Sequence, residues 1–365
     1  MRRVALVCEP TDGGAAEHVV QLALGLPEHG YEPTVFCASG FKQAEHLAAA
    51  GCDVALLPFR RDFAHPQDDV RAFASLVRRV RDFDLVHAHA AKAGVVARAA
   101  AAVRHRPAVY TPHCFPFVGE ISPARRRFSL AVERALAPLT QALVCVCEAE
   151  RTLASARRVE PRGSLAVVLN GCPACGDVEP DPELAGLRAR GPLVGSVTVL
   201  RPQKQLDVLL AAAPRMLEAL PDLTIAIVGD GVERPRLRRL ARVCGSRVTF
   251  VPFRPPAARA LRCLDLYLLP SAWEALPIGL LEALACGVPQ VASDVGGNRE
   301  AVSPETGVLV PAGDAEALAA AVVELMQDPE RRTAMSVASR RRHAERFGVR
   351  RMVAQTAAVY DAVLQ

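Results

Sequence analysis

Two glutamates with seven residues between them are the part of this sequence that points most directly to chemistry. Glu274 follows a short apolar run at 266–270, and Glu282 lies further along a second apolar stretch. The run predicts a buried parallel strand, and Pro277 suits the first turn of a helix, where its missing N–H costs nothing. The carboxylates would then flank free N–H groups of a helix N-terminus, which bind phosphate, and could accept hydrogen bonds from sugar hydroxyls. Such a site suits a nucleotide sugar.

A basic turn in the same half of the chain carries Arg201 and Lys204. It follows a glycine-containing strand and leads into a predicted helix. Because a cation near a helix N-terminus opposes the helix dipole, Lys204 indicates an anionic partner. A diphosphate fits that need, and Arg201 could share the role.

Glycines follow several of the predicted strands. Gly13 and Gly14 follow the first strand, and Gly229, Asp230 and Gly231 follow a strand of the second half. Paired glycines let the backbone approach a phosphate, a base or a ribose closely, although a tight turn requires them equally. Their position at strand ends, where parallel sheets bind ligands, favours a binding role.

Four histidines of the first half are candidates for a polar site. His87 and His89 end a predicted strand, and alternation places both on one side of it. For these two and for His18, a structural role is the preferred interpretation. His113 follows Pro112 at the end of another strand, and substrate contact is favoured for it.

Composition and charge exclude several classes of protein. The 365 residues are 51% hydrophobic and 23% charged, with a net charge of +5, which is typical of a globular protein with an anionic small-molecule ligand and does not require nucleic acid. No apolar stretch approaches the roughly 18 residues of a membrane span. The apolar stretch at 4–8 is short for a signal peptide, so a first strand and a cytoplasmic location are expected.

Eleven cysteines are an odd number for an unexported chain. Most lie in apolar runs and are interpreted as small buried hydrophobic residues, namely Cys8, Cys37, Cys145 and Cys147. Cys172 and Cys175 have a spacing seen in metal and redox sites, and Cys145 with Cys147 could complete four ligands. This metal site is disfavoured because neither pair has the paired spacing of a zinc ribbon.

The order of apolar and amphipathic segments predicts two doubly wound α/β domains. Apolar runs typical of buried strands lie at 4–8, 34–37, 54–57, 85–88, 109–111 and 142–146, and again at 193–199, 224–228, 247–251, 266–269 and 290–292. Amphipathic helical segments, 204–220 among them, alternate with these runs. A stretch rich in Gly, Pro and Asp at 170–182 separates the two halves. Two Rossmann-like domains, 1–172 and 173–345, are therefore expected to face one another across a cleft, with a final helix in 346–365 that packs back toward the first.

Taken together, these motifs resemble the large retaining glycosyltransferase family 4, which has the GT-B fold. The most specific element is the Glu-x7-Glu block at 271–289, and the resemblance extends over nearly the whole chain. Supporting motifs lie at 13–14, 111–113, 144–150, 170–171, 201–204, 229–231 and 296–300.

The resemblance implies a role for each matching position. Glu282 would hold the ribose hydroxyls of the donor, Glu274 would contact the transferred sugar, and Lys204 would neutralise the departing diphosphate. The predicted catalytic residues are His113, Glu274 and Lys204, and the predicted donor-binding residues are Gly13, Gly14, Arg201, Gly229, Asp230, Gly231, Ala275, Leu276, Pro277, Ile278 and Glu282. The expected reaction moves a hexosyl group from a nucleotide sugar, with UDP-linked donors favoured over GDP-linked ones, with retention and without metal or cofactor.

One position departs from the family pattern. Members usually carry a basic residue five positions before the lysine, and Val199 stands there. The loss of one charge-assisted contact to the leaving group costs about 3 kcal/mol, roughly a hundredfold in rate. Ala275 and Gln205 replace commonly seen glycines, which is a milder change.

Val199 supports a second hypothesis, in which the chain is a degenerate GT-B protein without catalysis that acts as partner to an active transferase. Another GT-B activity, such as a phosphorylase or an epimerase, is a third. The sequence does not identify the acceptor of the sugar, and a polysaccharide precursor, a lipid-linked acceptor and a small natural product all fit. Loops at 60–67 and 114–122 are expected to select it. The arginines at 125–127 are expected to form a solvent-exposed helix face, and peripheral contact with the inner face of a membrane is the alternative.

Overall fold

The computed structural model describes residues 1–60 and 65–365, which form two compact units. Unit 1 comprises Met1–Gly171 and Val349–Gln365, and unit 2 comprises Cys172–Gly348. The expected boundaries, after residues 172 and 345, lie within three residues of these. The predicted acceptor loop at 60–67 falls partly on residues 61–64, which lie outside the described residues.

Unit 1 is built on a seven-stranded parallel sheet in the order β3-β2-β1-β4-β5-β6-β7. Its strands are β1 (Arg2–Cys8), β2 (Tyr31–Ala38), β3 (Asp53–Leu57), β4 (Leu85–His89), β5 (Ala108–Thr111), β6 (Ala142–Cys145) and β7 (Ser164–Val167). Its helices are α1 (Gly14–Gly25), α2 (Ala44–Ala49), α3 (Pro66–Arg79), α4 (Ala91–Val103), α5 (Pro123–Leu136), α6 (Glu148–Ala156) and α15 (Val349–Val363). Along β1, Val4 and Leu6 belong to one buried cluster and Ala5 and Val7 to another, because successive side chains point to opposite faces of a sheet.

Unit 2 repeats the plan with six parallel strands in the order β10-β9-β8-β11-β12-β13. Its strands are β8 (Leu193–Val197), β9 (Thr224–Val228), β10 (Val248–Val251), β11 (Leu266–Leu269), β12 (Gln290–Ser293) and β13 (Gly307–Val310). Its helices are α7 (Pro182–Arg188), α8 (Leu206–Ala219), α9 (Arg234–Leu240), α10 (Ala258–Leu261), α11 (Ile278–Cys286), α12 (Asn298–Ala301), α13 (Ala315–Gln327) and α14 (Pro329–Arg346). Leu209 and Met216 of α8 pack with Leu318 and Leu325 of α13 on this sheet.

The strand order reverses beside the first strand of each sheet, between β1 and β4 in unit 1 and between β8 and β11 in unit 2. In open parallel sheets, ligands bind beyond the carboxyl ends of the strands at this switch point. The predicted fold of two doubly wound domains is therefore confirmed, and it indicates where in each unit a site belongs.

Several elements were not predicted, among them the strands β7 and β13, the long helix α14 and the short helices α7, α10 and α12. Each of the strands β7 and β13 is an edge of its sheet, has only 4 residues and is partly buried, so its sequence gives a weak strand pattern. The 18-residue α14 buries only Met335, Ser339 and His343, too narrow a stripe to show periodicity. Along 1–60 and 65–365, no helix is both long enough and apolar enough to cross a lipid bilayer.

A disulfide joins Cys175 to Cys286, the last residue of α11. The disfavoured metal site that included Cys175 does not form, because the thiol of Cys175 is consumed by the bond. The spacing of Cys175 from Cys172 suggested a local partner, whereas the true partner lies 111 residues away. The four cysteines interpreted as buried hydrophobic residues are all buried, as predicted.

Candidate active site

The loops that follow β8 and β11 meet at the switch point of unit 2. The N–H of Ala272 donates to the carbonyl of Gln203 at 2.9 Å, which joins the two loops through their backbones. This contact brings Lys204 Nζ to 2.5 Å from Glu274 Oε1. The side chains of Lys204 and Glu274 are only 15% and 7% exposed, so water screens the ion pair weakly.

Both carboxylate oxygens of Glu274 accept hydrogen bonds from side chains other than Lys204. Ser271 Oγ donates to Oε1 at 2.7 Å, and Gln203 Nε2 donates to Oε2 at 3.2 Å. The amide of Gln203 also donates to the carbonyl of Trp273 at 2.8 Å, which fixes its orientation. A buried carboxylate needs such partners, since an unpaired charge would be costly away from water.

The conformation of the basic turn differs from the predicted one. Lys204 ends a 3-10 turn, Pro202–Lys204, and α8 begins only after it, at Leu206. The anionic partner that Lys204 was expected to require is present within the protein as Glu274. Gln205 adopts a left-handed conformation with φ of 42°, which explains why a glycine suits this position.

Helix α11 begins one residue later than predicted, at Ile278. Pro277 precedes it in an extended conformation, and Leu276 is buried. The carbonyl of Ala275 accepts the N–H of Gly297 at 2.6 Å, so the loop after β12 holds this segment in place. The N-terminal end of α11 therefore follows directly on the strand-loop that carries Glu274.

The charges of the two glutamates of the motif both act on one buried phenol, that of Tyr267. The hydroxyl of Tyr267, on β11, donates to the carbonyl of Val197 at 3.2 Å. Burial, followed by the charges of Glu282 and then Glu274, raises the pKa of Tyr267 above its usual range, so both carboxylates act on the same group. A Cβ at Gly279 would lie 2.6 Å from this hydroxyl, which explains the glycine in α11.

The glycines after β9 pack against protein backbone. A Cβ at Gly229 would lie 1.9 Å from the carbonyl oxygen of Thr198, and one at Gly231 would lie 2.3 Å from that of Leu200. The carbonyl of Asp230 accepts the N–H of Leu200 at 2.9 Å, and its side chain is exposed and paired with an arginine of α9. Close approach of the loops after β8 and β9 thus accounts for both glycines, and donor contact by these residues stays a prediction.

Val199 and Arg201 lie on the same loop after β8. The N–H of Arg201 donates to the carbonyl of Val199 at 2.9 Å, so the chain turns between them. Both residues are half-buried. The backbone therefore changes direction between the two positions.

In unit 1, the loop after β1 leads into α1 through Gly13 and Gly14, which are both exposed. Gly13 caps α1 with φ of 79°, a conformation that favours glycine. A Cβ there would meet no described residue within 4 Å. The N-terminus of the 12-residue α1 is thus approachable from outside.

His87 has a structural role, as preferred from the sequence. Its Nδ1 lies 2.6 Å from the hydroxyl of Tyr360, on α15, and its Nε2 lies 2.8 Å from Oγ1 of Thr111. Both ring nitrogens therefore have partners, and burial lowers the pKa of His87 well below its usual value. His87 therefore connects α15 to the sheet of unit 1.

His113 is brought together with two of the histidines interpreted as structural. Its Nε2 lies 3.1 Å from His89 Nδ1, and its ring meets that of His18 edge-on with centroids 4.6 Å apart. His18 Nδ1 lies 2.9 Å from Asn170 Oδ1. Burial lowers the pKa of His18 to about 4 and those of His89 and His113 well below their usual value, which keeps all three neutral.

Sequence reasoning missed several side chains that complete these arrangements. Ser271, Gln203 and Tyr267 surround Glu274, and Asn170 orients His18. Ser271 and Gln203 lie inside the motifs at 271–289 and 201–204, but roles were predicted only for the charged residues beside them. Tyr267 gave no local signal, since it belongs to an apolar strand, and Asn170 lies in the motif at 170–171, for which no role was predicted.

Comparison with known structures defines the class of the fold. HepE of Anabaena, in complex with UDP and glucose, superimposes with a TM-score of 0.84 over 99% of this chain and 100% of its own, at 22% identity. At that identity the likeness speaks for the fold alone. The fold is GT-B, as predicted.

Sequence comparison defines the family. The profile described as Glycosyltransferase Family 4 matches residues 12–174, and the one described as Glycosyl transferases group 1 matches residues 191–328. The phosphatidyl-myo-inositol mannosyltransferase of Mycobacterium leprae is 30% identical over 89% of this chain and 88% of its own length. A GDP-mannose-dependent monoacylated alpha-(1-6)-phosphatidylinositol monomannoside mannosyltransferase of Corynebacterium glutamicum is 36% identical over 41% of this chain and 42% of its own length. The chain therefore belongs to glycosyltransferase family 4, and the predicted enzyme class, a hexosyltransferase, is confirmed.

Proposed function

We propose that this chain transfers a hexosyl group from a nucleoside-diphosphate sugar to an acceptor hydroxyl, with retention of configuration and without a metal ion. The observation that carries the proposal is the ion pair of Lys204 and Glu274 at the switch point of unit 2, directly before the N-terminus of α11. A cation, a carboxylate and a helix dipole are then available to one ligand that is part diphosphate and part polyol.

The hydrogen-bonding capacity of the pair supports these roles. The ammonium of Lys204 has three donors and directs one at Glu274, which leaves donors for phosphate oxygens. The carboxylate of Glu274 offers roughly four acceptor positions. Lys204, Ser271 and Gln203 occupy three of them, which leaves room for one sugar hydroxyl. Glu282, on α11, is proposed to hold the ribose.

The same contacts support a mechanism without metal and without a covalent intermediate. Lys204 and the α11 dipole would stabilise the departing diphosphate, the task a bound cation performs elsewhere. Glu274 accepts hydrogen bonds on both oxygens, which lowers its nucleophilicity and disfavours attack on the sugar. Departure of the diphosphate from the face that the acceptor enters accounts for retention. His113 is proposed to lie near the transferred sugar.

Donor and acceptor are proposed as classes. UDP-hexoses are the predicted donors, and the name of the Corynebacterium relative makes GDP-mannose the second donor to test. The names of both relatives contain a phosphatidylinositol acceptor, which favours a lipid-linked acceptor among the three classes left open by the sequence.

The exposed first half of α5 supports contact with a lipid surface. Residues 123–128 are all exposed and contain three consecutive arginines and Phe128, whose side chain is 70% exposed. Arginines in a first helical turn oppose the helix dipole, and an anionic surface would offset that cost. Sedimentation with phosphatidylcholine vesicles, with and without phosphatidylglycerol, tests this. We expect binding only to the anionic vesicles, and its persistence in Arg125→Gln/Arg126→Gln/Arg127→Gln would refute it.

The donor site is tested with a panel of UDP- and GDP-sugars. A donor that binds the folded chain raises its melting temperature by mass action. Glu282→Gln should weaken that donor roughly ten- to a hundredfold, because a hydrogen bond to a charged group contributes about 1.5–3 kcal/mol. The matched control is Glu305→Gln, an exposed glutamate of the same unit. No stabilisation by any donor together with no turnover, or equal donor affinity in Glu282→Gln and Glu305→Gln, would contradict the proposal.

Product analysis separates the remaining alternatives. NMR coupling constants of the product report its anomeric configuration, which should equal that of the donor. A requirement for inorganic phosphate would instead identify a phosphorylase, and interconversion of the nucleotide sugar would identify an epimerase. Val199 is the one observation that favours a degenerate partner protein. Robust turnover by the natural chain would exclude that reading.

A further inference from the structure

Three histidines of unit 1 converge at the carboxyl ends of neighbouring strands. His18 comes from α1, His89 ends β4, and His113 follows β5. One ring nitrogen from each lies within 4.8 Å of one from the other two. His18 and His89 are 1% and 0% exposed, whereas His113 is part-buried. The group is therefore a buried cluster that is open toward solvent at His113.

Two of these rings leave a buried nitrogen without a partner. His18 Nδ1 contacts the amide oxygen of Asn170 at 2.9 Å, and because that oxygen only accepts, Nδ1 carries the proton. His18 Nε2 then presents a lone pair. Neither it nor His89 Nε2 finds a hydrogen-bond partner in the described part of the chain. Buried polar atoms are nearly always paired, so His18 Nε2 calls for a ligand, whereas His89 would bind one through Nδ1, the nitrogen that lies 3.1 Å from His113 Nε2.

We propose that His18, His89 and His113 bind a divalent transition-metal ion of the Zn²⁺ type. Neutral imidazoles are good ligands for such ions, and three of them leave a fourth position open to water or another ligand. Asn170 supplies the outer hydrogen bond that orients a metal-binding histidine. The site belongs to unit 1 and shares no residue with the Lys204–Glu274 pair.

The geometry requires only a small adjustment to hold an ion. At Zn–N distances of about 2.1 Å, two nitrogens on one ion lie at most about 4.2 Å apart and about 3.4 Å apart in a tetrahedral site. His89 Nδ1 and His113 Nε2 are already 3.1 Å apart. The largest separation of 4.8 Å then has to shorten by about 1.4 Å, which small side-chain rotations can supply.

Occupation of the site would inhibit sugar transfer. A metal ion on His113 removes its ring nitrogen from the substrate, and this consequence alone rests on the role proposed for His113. The binding step is independent of that role. Metal affinity measured without any donor therefore tests the site even where the proposed function fails.

The test uses the full-length chain after treatment with a chelator. Zn²⁺ is titrated by calorimetry and Co²⁺ by visible absorption. We expect one equivalent to bind, with the Co²⁺ spectrum of a tetrahedral site and without thiolate charge-transfer bands. His18→Gln and His89→Gln should each lower the affinity at least tenfold, and Asn170→Ala about ten- to a hundredfold. The matched control is His46→Gln, an exposed histidine of α2, which should bind as the natural chain does.

Several results would overturn the proposal. These are the lack of a bound equivalent in the natural chain, affinity in His18→Gln equal to that in His46→Gln, and thiolate charge-transfer bands, which would place the ion on cysteines. The Co²⁺ spectrum of the natural chain decides the question even if the buried-histidine variants fold poorly. In the activity assay, Zn²⁺ should inhibit transfer and chelator should restore it, and tight binding without inhibition would refute the role given to His113.

Discussion

Replacement of Lys204 by glutamine tests the electrostatic role at the centre of the proposed mechanism. The ammonium lies 2.5 Å from Glu274 and is 15% exposed, so its charge is poorly screened. Removing one preorganised donor that faces a developing negative charge costs about 2.7–4 kcal/mol. The kcat should therefore fall roughly a hundred- to a thousandfold.

The same change also affects stability, and the two effects must be separated. Without Lys204, the carboxylate of Glu274 keeps Ser271 and Gln203 as donors and loses its counter-charge. A loss of about 1–3 kcal/mol is expected, which lowers the melting temperature by roughly 2–12 °C for a unit of this size. Rates are therefore measured well below the melting transition, as release of the nucleoside diphosphate at saturating donor.

Two further variants complete the experiment. Lys204→Arg keeps the charge and should retain more activity than Lys204→Gln, although its planar group fits a different geometry. Arg215→Gln removes an exposed, ion-paired cation of α8 and should leave the rate unchanged. A Lys204→Gln enzyme with kcat within about threefold of the natural one would refute the electrostatic role. Equal impairment in Lys204→Arg and Lys204→Gln would show that shape matters rather than charge.

Three other predictions follow from the described contacts. Val199→Arg should raise kcat up to about a hundredfold by supplying a second cation to the diphosphate, and an unchanged rate in the same assay would show that the position is neutral. Gly296→Ala should destabilise the chain by more than about 3 kcal/mol, because φ is 49° and the new Cβ would lie 1.8 Å from the carbonyl oxygen of Glu274. Gly313→Ala, with φ of 77° and no described atom within 4 Å, should cost only about 1–2 kcal/mol. The free energies of unfolding of both variants are measured by urea titration, and equal losses would contradict the steric argument. The pKa of His18 is about 4 in the folded state and 6.5 as its ordinary value, so the unfolded state binds more protons between these limits. Stability should therefore be full above pH 6.5 and fall on acidification toward pH 4, by up to about 1.4 kcal/mol per pH unit for this group, and His18→Gln should flatten the dependence measured by urea unfolding at pH 7.5 and pH 5. An identical slope in the variant would assign the loss to other groups.

The sequence by itself determined the class of fold and most of its elements. Strands buried on both faces are continuous apolar runs, and β9 and β11 have the predicted limits. The Glu-x7-Glu block also placed the start of α11 to within one residue. These features are local, because a strand or a helix start depends on a few consecutive residues.

Only the tertiary structure decided which distant residues meet. Lys204 and Glu274 are 70 residues apart, His18 and Asn170 are 152 apart, and the disulfide spans 111. The Lys204–Glu274 contact depends on the order of strands in the sheet of unit 2, which brings the loops after β8 and β11 together at a switch point regardless of their separation along the chain. Local residue patterns carry no record of that order, and so the partners of Glu274 and the clustering of three histidines emerge only once the sheets are assembled.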